Sequence, residues 1–303
     1  MPLILDGKVV SKAIKDWLAR SVSAIEKEHG WAPALLTIQV GDDAASDRYI
    51  RNQIKSCREL GISAEMAQFS RDIKKLDFLD KIAEIENRKD VDGIIIQRPL
   101  PDGWRMDEII RAVSPAKDVE GLHPENLGRL FLGEETIPQP CTAWAAVSLL
   151  EWYGRATFDG ARCAVIGRSP NVGRAAALMM MHRHATISVC HTRTPDKSIK
   201  DILAVCDIVI AAAGVAGIVD QHDLKPGAWV VDVGTNVTAE GKLVGDVAPS
   251  DDTAVGAISP VPGGVGPVTV ALLMANLLLC ATKRRLGKAL TLPNLKDLRE
   301  GAA

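Results

Sequence analysis

Aromatic residues are scarce in this chain: two tyrosines, four phenylalanines and six tryptophans among 303 residues. Neither sign of charge dominates. The 36 Lys and Arg against 38 Asp and Glu leave a formal charge of -2, which excludes a global basic field for nucleic acid. The six cysteines (57, 141, 163, 190, 206, 280) form no CxxC pair and no zinc-ligand spacing. They read as small buried residues in a reducing compartment, and no metal is expected. A long apolar run is also missing: the most apolar stretch, 268–281, contains Asn276 and is short for a membrane span. The first residues lack the basic and apolar segments of a signal peptide. A soluble, cytoplasmic protein without membrane or nucleic-acid partners is the expectation, and the length suggests two domains.

What is present alternates between helical and strand patterns. Apolar spacing predicts a helix over 11–28, and the run Ala34 to Val40 predicts a buried strand. Gly41-Asp42-Asp43 marks a turn, a helix follows over 44–60, and Gly93 to Gln97 is a second strand ending in a proline-rich loop. Continuous apolar strands separated by helices imply a parallel sheet covered on both faces. Pro138 to Thr142 marks a boundary, beyond which strands are predicted at 162–166, 186–190, 207–211 and 229–233. A last apolar helix is predicted from Val268 to Arg285.

The strand ending at Ile166 runs into Gly167-Arg168-Ser169-Pro170-Asn171-Val172-Gly173 and then a helix-like stretch. Strand, glycine turn and helix are the context of a dinucleotide site, although the middle glycine of GxGxxG is absent. The next strand ends at His191-Thr192-Arg193-Thr194, without the acid that would bind ribose hydroxyls. Hydroxyls and an arginine suit a ribose phosphate, so NADP is favoured over NAD.

Further on, Ile258-Ser259-Pro260-Val261-Pro262-Gly263-Gly264-Val265-Gly266-Pro267 brackets three glycines with prolines. Glycine permits close backbone approach and proline fixes the flanks. Together with Gly167-Arg168-Ser169 and Gln97-Arg98-Pro99-Leu100-Pro101, this wording resembles the methylenetetrahydrofolate dehydrogenase/cyclohydrolase family, over about 40–281. The resemblance implies an α/β protein of two domains: a discontinuous folate-binding catalytic domain over 1–140 and 267–303, and an inserted Rossmann-like NADP-binding domain with a parallel sheet over 141–266. It also implies a homodimer.

The implied site residues follow from matched motifs. Gly167, Arg168, Ser169, Thr192 and Thr235 match cofactor contacts, with Arg193 beside them; the family has an aliphatic residue at Thr235. Tyr49 matches a tyrosine that stacks on the folate. Tyr49 and Gln53 are four apart and share a helix face with Ser46 nearby, a pattern that ordinary packing also produces. Gln97, preceded by Ile96, matches a glutamine beside the reacting carbon, although a strand-end glutamine capping a loop reads the same. Pro262, Gly263, Gly264 and Gly266 would lie between folate and cofactor.

Three positions in the substrate and chemical site also depart from the pattern. Gln53 stands where the family has lysine, and Lys55, about 120° away around the helix from the Tyr49 face, does not replace it. Arg98 replaces a leucine. Glu120, in Lys117-Asp118-Val119-Glu120-Gly121, replaces an aspartate that accepts paired hydrogen bonds from the pterin ring. Hydride transfer needs orientation but no strong base. Adding water to a methenyl cation must move protons, which glutamine cannot do; losing such help costs about 10²–10⁴-fold. The expected activity is NADP-dependent oxidation of methylenetetrahydrofolate with weak or absent cyclohydrolase activity. The competing expectations are a bifunctional enzyme, a non-catalytic folate- or nucleotide-binding paralogue, and a dehydrogenase for a modified one-carbon substrate.

Overall fold

The structure, a computed structural model, describes residues 1–154 and 158–301; the side chains of residues 44, 45, 48 and 49 also lie outside the described residues. Contacts divide the chain into two units. One comprises 14–139 and 273–292, and the other 1–13, 140–272 and 293–303.

A short strand β1 (Leu3–Ile4) leads into helix α1 (Gly7–His29), within which the division falls after Ala13. The first unit then alternates β2 (Ala34–Val40), α2 (Ala44–Glu59), β3 (Ser63–Phe69), α3 (Lys75–Glu86) and β4 (Gly93–Ile96). Short helices α4 (Met106–Ile109) and α5 (Pro124–Phe131) follow. The strands form a parallel sheet in the order β3-β2-β4, with Thr37 opposite Met66 and Ile95. Central β2 is buried along nearly its whole length, which explains its unbroken apolar run. Leu36, Ile38, Ile94 and Ile96 pack with Phe78 and Ile82 of α3. Asp43 caps α2: its carboxylate accepts from the Ser46 amide at 2.8 Å.

The second unit begins with α6 (Cys141–Trp152) and β5 (Arg162–Ile166). A π-helical turn over 170–174 leads to α7 (Ala175–His182), then β6 (Thr186–Cys190), α8 (Asp196–Leu203), β7 (Ile208–Ala211) and β8 (Trp229–Asp232). Strands β9 (Asn236–Val237) and β10 (Leu243–Val244) make an antiparallel ribbon before β11 (Ala257–Ile258). Six strands form a parallel sheet in the order β1-β11-β8-β7-β5-β6. Helix α9 (Val265–Leu286) crosses the division after Leu272, and α10 (Leu295–Glu300) ends the described chain.

Both termini group with the six-stranded sheet rather than with 14–139, contrary to the sequence expectation. The reason is local: Leu3 pairs with Ala257, Ile4 pairs with Ile258, and Arg299 donates to the Trp152 carbonyl at 2.7 Å. Helix α9 is also longer than expected. At 22 residues it is long and apolar enough to cross a membrane by length and composition, but most of its apolar window is buried inside the protein. Its Asn276 is satisfied within the first unit: the side-chain amide donates to the carbonyls of Val119 and Gln139 at 2.9 and 2.8 Å.

Candidate active site

In the first unit the site elements are the carboxyl ends of β2 and β4 and the start of α2. Gln53 is buried, and its Oε1 accepts a hydrogen bond from Thr37 Oγ1 at 3.0 Å. About two α2 turns upstream, Ser46 Oγ lies 2.7 Å from Asp43 Oδ2 and 2.8 Å from the Arg98 carbonyl. A hydroxyl has one proton, so it serves one of these acceptors at a time. That contact ties the start of α2 to the segment after β4. Gln39, two residues beyond Thr37 on the same face of β2, donates to Asp47 at 2.8 Å, and its buried Oε1 has no hydrogen-bond partner among the described residues.

Gln97 is partly exposed and donates to the Arg98 carbonyl at 3.1 Å; its side chain makes no hydrogen bond to Gln53. Ile96 is buried at the end of β4, and Arg98 is exposed. Tyr49 lies on α2, but its side chain is outside the described residues. Lys55 is exposed and pairs with Glu59, away from Gln53.

The two acids of the segment 117–121 have separate jobs. Asp118 is fully buried; its Oδ2 accepts from the His123 amide at 2.7 Å and Asn126 Nδ2 at 2.9 Å, while Oδ1 has no hydrogen-bond partner among the described residues. A bridge between Ile94 and Asp118 lays the start of this segment beside β4, and the chain then turns, the Gly121 amide donating to the Asp118 carbonyl at 3.3 Å. Glu120 is half-buried and makes no hydrogen bond among the described residues. Burial pushes its carboxyl up to about 7, against the pull of the Arg98 guanidinium and with a further push from Asp118.

The second unit holds the glycine turn. Gly167 has φ +129°, and a Cβ there would lie 2.1 Å from the Ala212 carbonyl oxygen; one on Gly173 would lie 2.2 Å from the Gly167 oxygen. The backbone is therefore drawn in where side chains would fill the space, which fits a dinucleotide pyrophosphate. Ser169 caps the following turn, its Oγ accepting from the Gly173 amide at 3.4 Å, and Arg168 is exposed. After β6, a closed turn leaves Thr192 and Arg193 exposed: the His191 amide donates to Thr194 Oγ1 at 3.0 Å, and the Arg193 amide to His191 Nδ1 at 3.1 Å. Thr235 is exposed beyond β8. In the segment 260–266, Gly263 has φ +114°, Gly264 is buried, Pro262 and Gly266 are exposed, and α9 already begins at Val265.

Two family models cover these parts. The tetrahydrofolate dehydrogenase/cyclohydrolase catalytic domain matches residues 5–120, and the NAD(P)-binding domain of the same family matches residues 140–285. The chain belongs to the tetrahydrofolate dehydrogenase/cyclohydrolase family. It is 40% identical over 288 residues to the bifunctional protein FolD of Chloroflexus aurantiacus, covering 94% of this chain and 98% of that one. Among solved structures, the bifunctional FolD enzyme of Campylobacter jejuni superposes with a TM-score of 0.89 at 36% identity, covering 94% of this chain and all of that one. The FolD of Trypanosoma brucei, solved with NADP cofactor and an inhibitor, gives a TM-score of 0.88 at 33% identity, covering 95% of this chain and 99% of that one.

Within this family member, sequence reasoning missed Thr37, Gln39 and Asp118. Thr37 and Gln39 are polar residues in an otherwise apolar strand, which was the available signal. Asp118 lies in the matched segment, but nothing in the sequence marks His123 and Asn126, five and eight residues downstream, as its donors.

Proposed function

We propose that this chain oxidises methylenetetrahydrofolate to methenyltetrahydrofolate with NADP, and that its hydrolysis of the methenyl product is weak or absent. One observation carries the second half: Gln53, at the family's lysine position, is buried and has its amide oxygen engaged by Thr37. An amide in that position can orient a substrate and cannot take up a proton.

The residues divide the work as follows. Gly167, Arg168 and Ser169 hold the pyrophosphate end of NADP, while Thr192 and Arg193 meet the ribose phosphate as donors that suit an anion. Thr235 contacts the cofactor, and Pro262, Gly263, Gly264 and Gly266 serve the folate. When bound, NADP accepts a hydride from the methylene carbon. Tyr49 stacks on the folate, Gln97 orients the reacting carbon, and Ser46 and Ile96 shape the pocket beside it. Glu120 recognises the pterin ring, with Arg98 at the rim. We further propose a homodimer in the cytoplasm, after the family pattern.

A second reading has its own support. The curated relatives are named bifunctional, and Glu120 keeps a carboxyl that titrates near neutrality at this site. In that reading Glu120 accepts the proton from water as it adds to the methenyl carbon. The test is NADP reduction with methylenetetrahydrofolate, run beside methenyl loss above the buffer rate, on the wild type and Glu120→Gln. NADP reduction without accelerated methenyl loss supports the proposal. Accelerated loss that vanishes in Glu120→Gln favours the second reading, and no NADP reduction by the wild type overturns both.

A further inference from the structure

Two aspartates outside the family motifs quoted above form a buried carboxylate pair in the second unit. Asp232 ends β8 and is 4% exposed; Asp246 follows β10 and is fully buried. Among the described residues neither carboxylate has a lysine or arginine within ion-pair distance. Their charges are met by dipoles instead. Asp232 Oδ1 accepts from the amides of Gly234 and Asp246, both at 2.9 Å, and Oδ2 accepts from the Val247 amide at 2.9 Å. Asp246 Oδ2 accepts from the amides of Ala213 and Gly214 at 2.6 and 2.8 Å, and Oδ1 accepts from Asn236 Nδ2 at 2.9 Å.

Burying a carboxylate without a cation is costly unless its oxygens are filled with donors. Two such groups side by side need a reason beyond closing a turn. The packing around them is tight: a Cβ on Gly234 would lie 2.3 Å from Asp246, and one on Gly245 would lie 1.8 Å from Asp232. The donors belong to particular loops. Ala213 and Gly214 follow β7, Gly234 follows β8, and Asn236 opens the β9–β10 ribbon. Ala212, the neighbour of Ala213, is the residue whose carbonyl closes over Gly167.

Sheet order gives these loops a position relative to the cofactor. The glycine turn follows β5, and the ribose-phosphate residues follow β6. On the other side of β5 come β7 and then β8. In a parallel sheet of this type the ligand lies along the carboxyl ends of the strands. A dinucleotide with its pyrophosphate at β5 and its adenosine at β6 therefore extends its nicotinamide half toward β7 and β8.

We propose that Asp246 is a positioning residue for the nicotinamide half of NADP. It fixes the loop after β7 and the Asn236 ribbon, and Asp232 braces it by holding the Asp246 and Gly234 amides. The inference rests on the cofactor reading given under Proposed function.

The test uses the full-length protein and two ligands: NADP, and 2′-phospho-ADP-ribose, which lacks nicotinamide. Asp246→Ala is expected to weaken NADP binding about tenfold or more, leaving the truncated ligand and the KM for methylenetetrahydrofolate within about twofold. Asp246→Asn keeps an acceptor oxygen for the two amides and is expected to recover most of the NADP affinity. Asn236→Ala, which removes one donor and leaves the carboxylate, gives a smaller loss with the same selectivity and serves if Asp246→Ala does not fold. Equal weakening of both ligands, or of neither, overturns the proposal, because a merely structural role predicts no selectivity. Failure of the wild type to bind NADP overturns the functional reading itself, and this inference with it.

Discussion

Thr37 Oγ1 donates to Gln53 Oε1 at 3.0 Å, and both residues are almost fully buried. The pair joins the central strand of the small sheet to α2. Thr37→Val keeps the shape and leaves the Gln53 oxygen without its donor. An unmet buried acceptor costs about 1–3 kcal/mol. Thermal unfolding is expected to shift down accordingly, with NADP reduction retained; an unchanged Tm would mean the bond contributes nothing.

Glu120 gives a pH signature. Its folded carboxyl sits at about 7, above the ordinary 4.5. Below about 4.5 both folded and unfolded chains hold the proton, and the group has no effect. As pH rises from there to 7 the unfolded chain ionises first, so stability falls; above 7 the loss is complete. Glu120→Gln removes this slope. The stability gap between variant and wild type should open across this window and level off above pH 7, on the order of 1–3 kcal/mol. A gap that is flat with pH contradicts the buried-carboxyl account.

Gly173 has no room for a methyl group, because a Cβ there meets the Gly167 carbonyl oxygen at 2.2 Å. Gly173→Ala must push the glycine turn open. NADP affinity should fall at least tenfold, about 1.4 kcal/mol, in a titration monitored by cofactor fluorescence. Unchanged affinity would place the cofactor elsewhere.

Arg193 lies exposed in the closed turn after β6. A guanidinium hydrogen bond to a phosphate contributes about 1.5–3 kcal/mol. Arg193→Ala should therefore raise the KM for NADP by about 10–100-fold while leaving the KM for NAD unchanged. Equal loss for both cofactors would remove Arg193 from ribose-phosphate recognition.

Much of this architecture was legible in the sequence where one residue pattern met one environment. Strands β2, β5 and β6 fall at their expected bounds: β2 and β5 lie inside parallel sheets and read as apolar runs, and β6, at a sheet edge, still carries Ile187, Val189 and Cys190. Strand β3 was passed over: Ser63–Phe69 lies at a sheet edge, is largely exposed and carries Glu65 and Gln68. The two-residue strands β1 and β11 are too short to leave any period, so the pairing of Leu3 with Ala257 could not be read. The motif match singled out Gln53 and Glu120 but said nothing of what surrounds them. Thr37 reaches Gln53 only because the sheet register sets that strand residue under that helix turn. Asp232 and Asp246 likewise acquire meaning only when loops far apart in sequence converge on them.

The most direct test of the account is the rate of methenyltetrahydrofolate hydrolysis by Gln53→Lys compared with the wild type, each normalised to its own NADP reduction. The account predicts a wild-type hydrolysis rate near that of buffer, rising about 10²–10⁴-fold in the lysine variant, while NADP reduction changes far less. Rapid hydrolysis by the wild type, unchanged on introducing the lysine, would contradict the role assigned to Gln53.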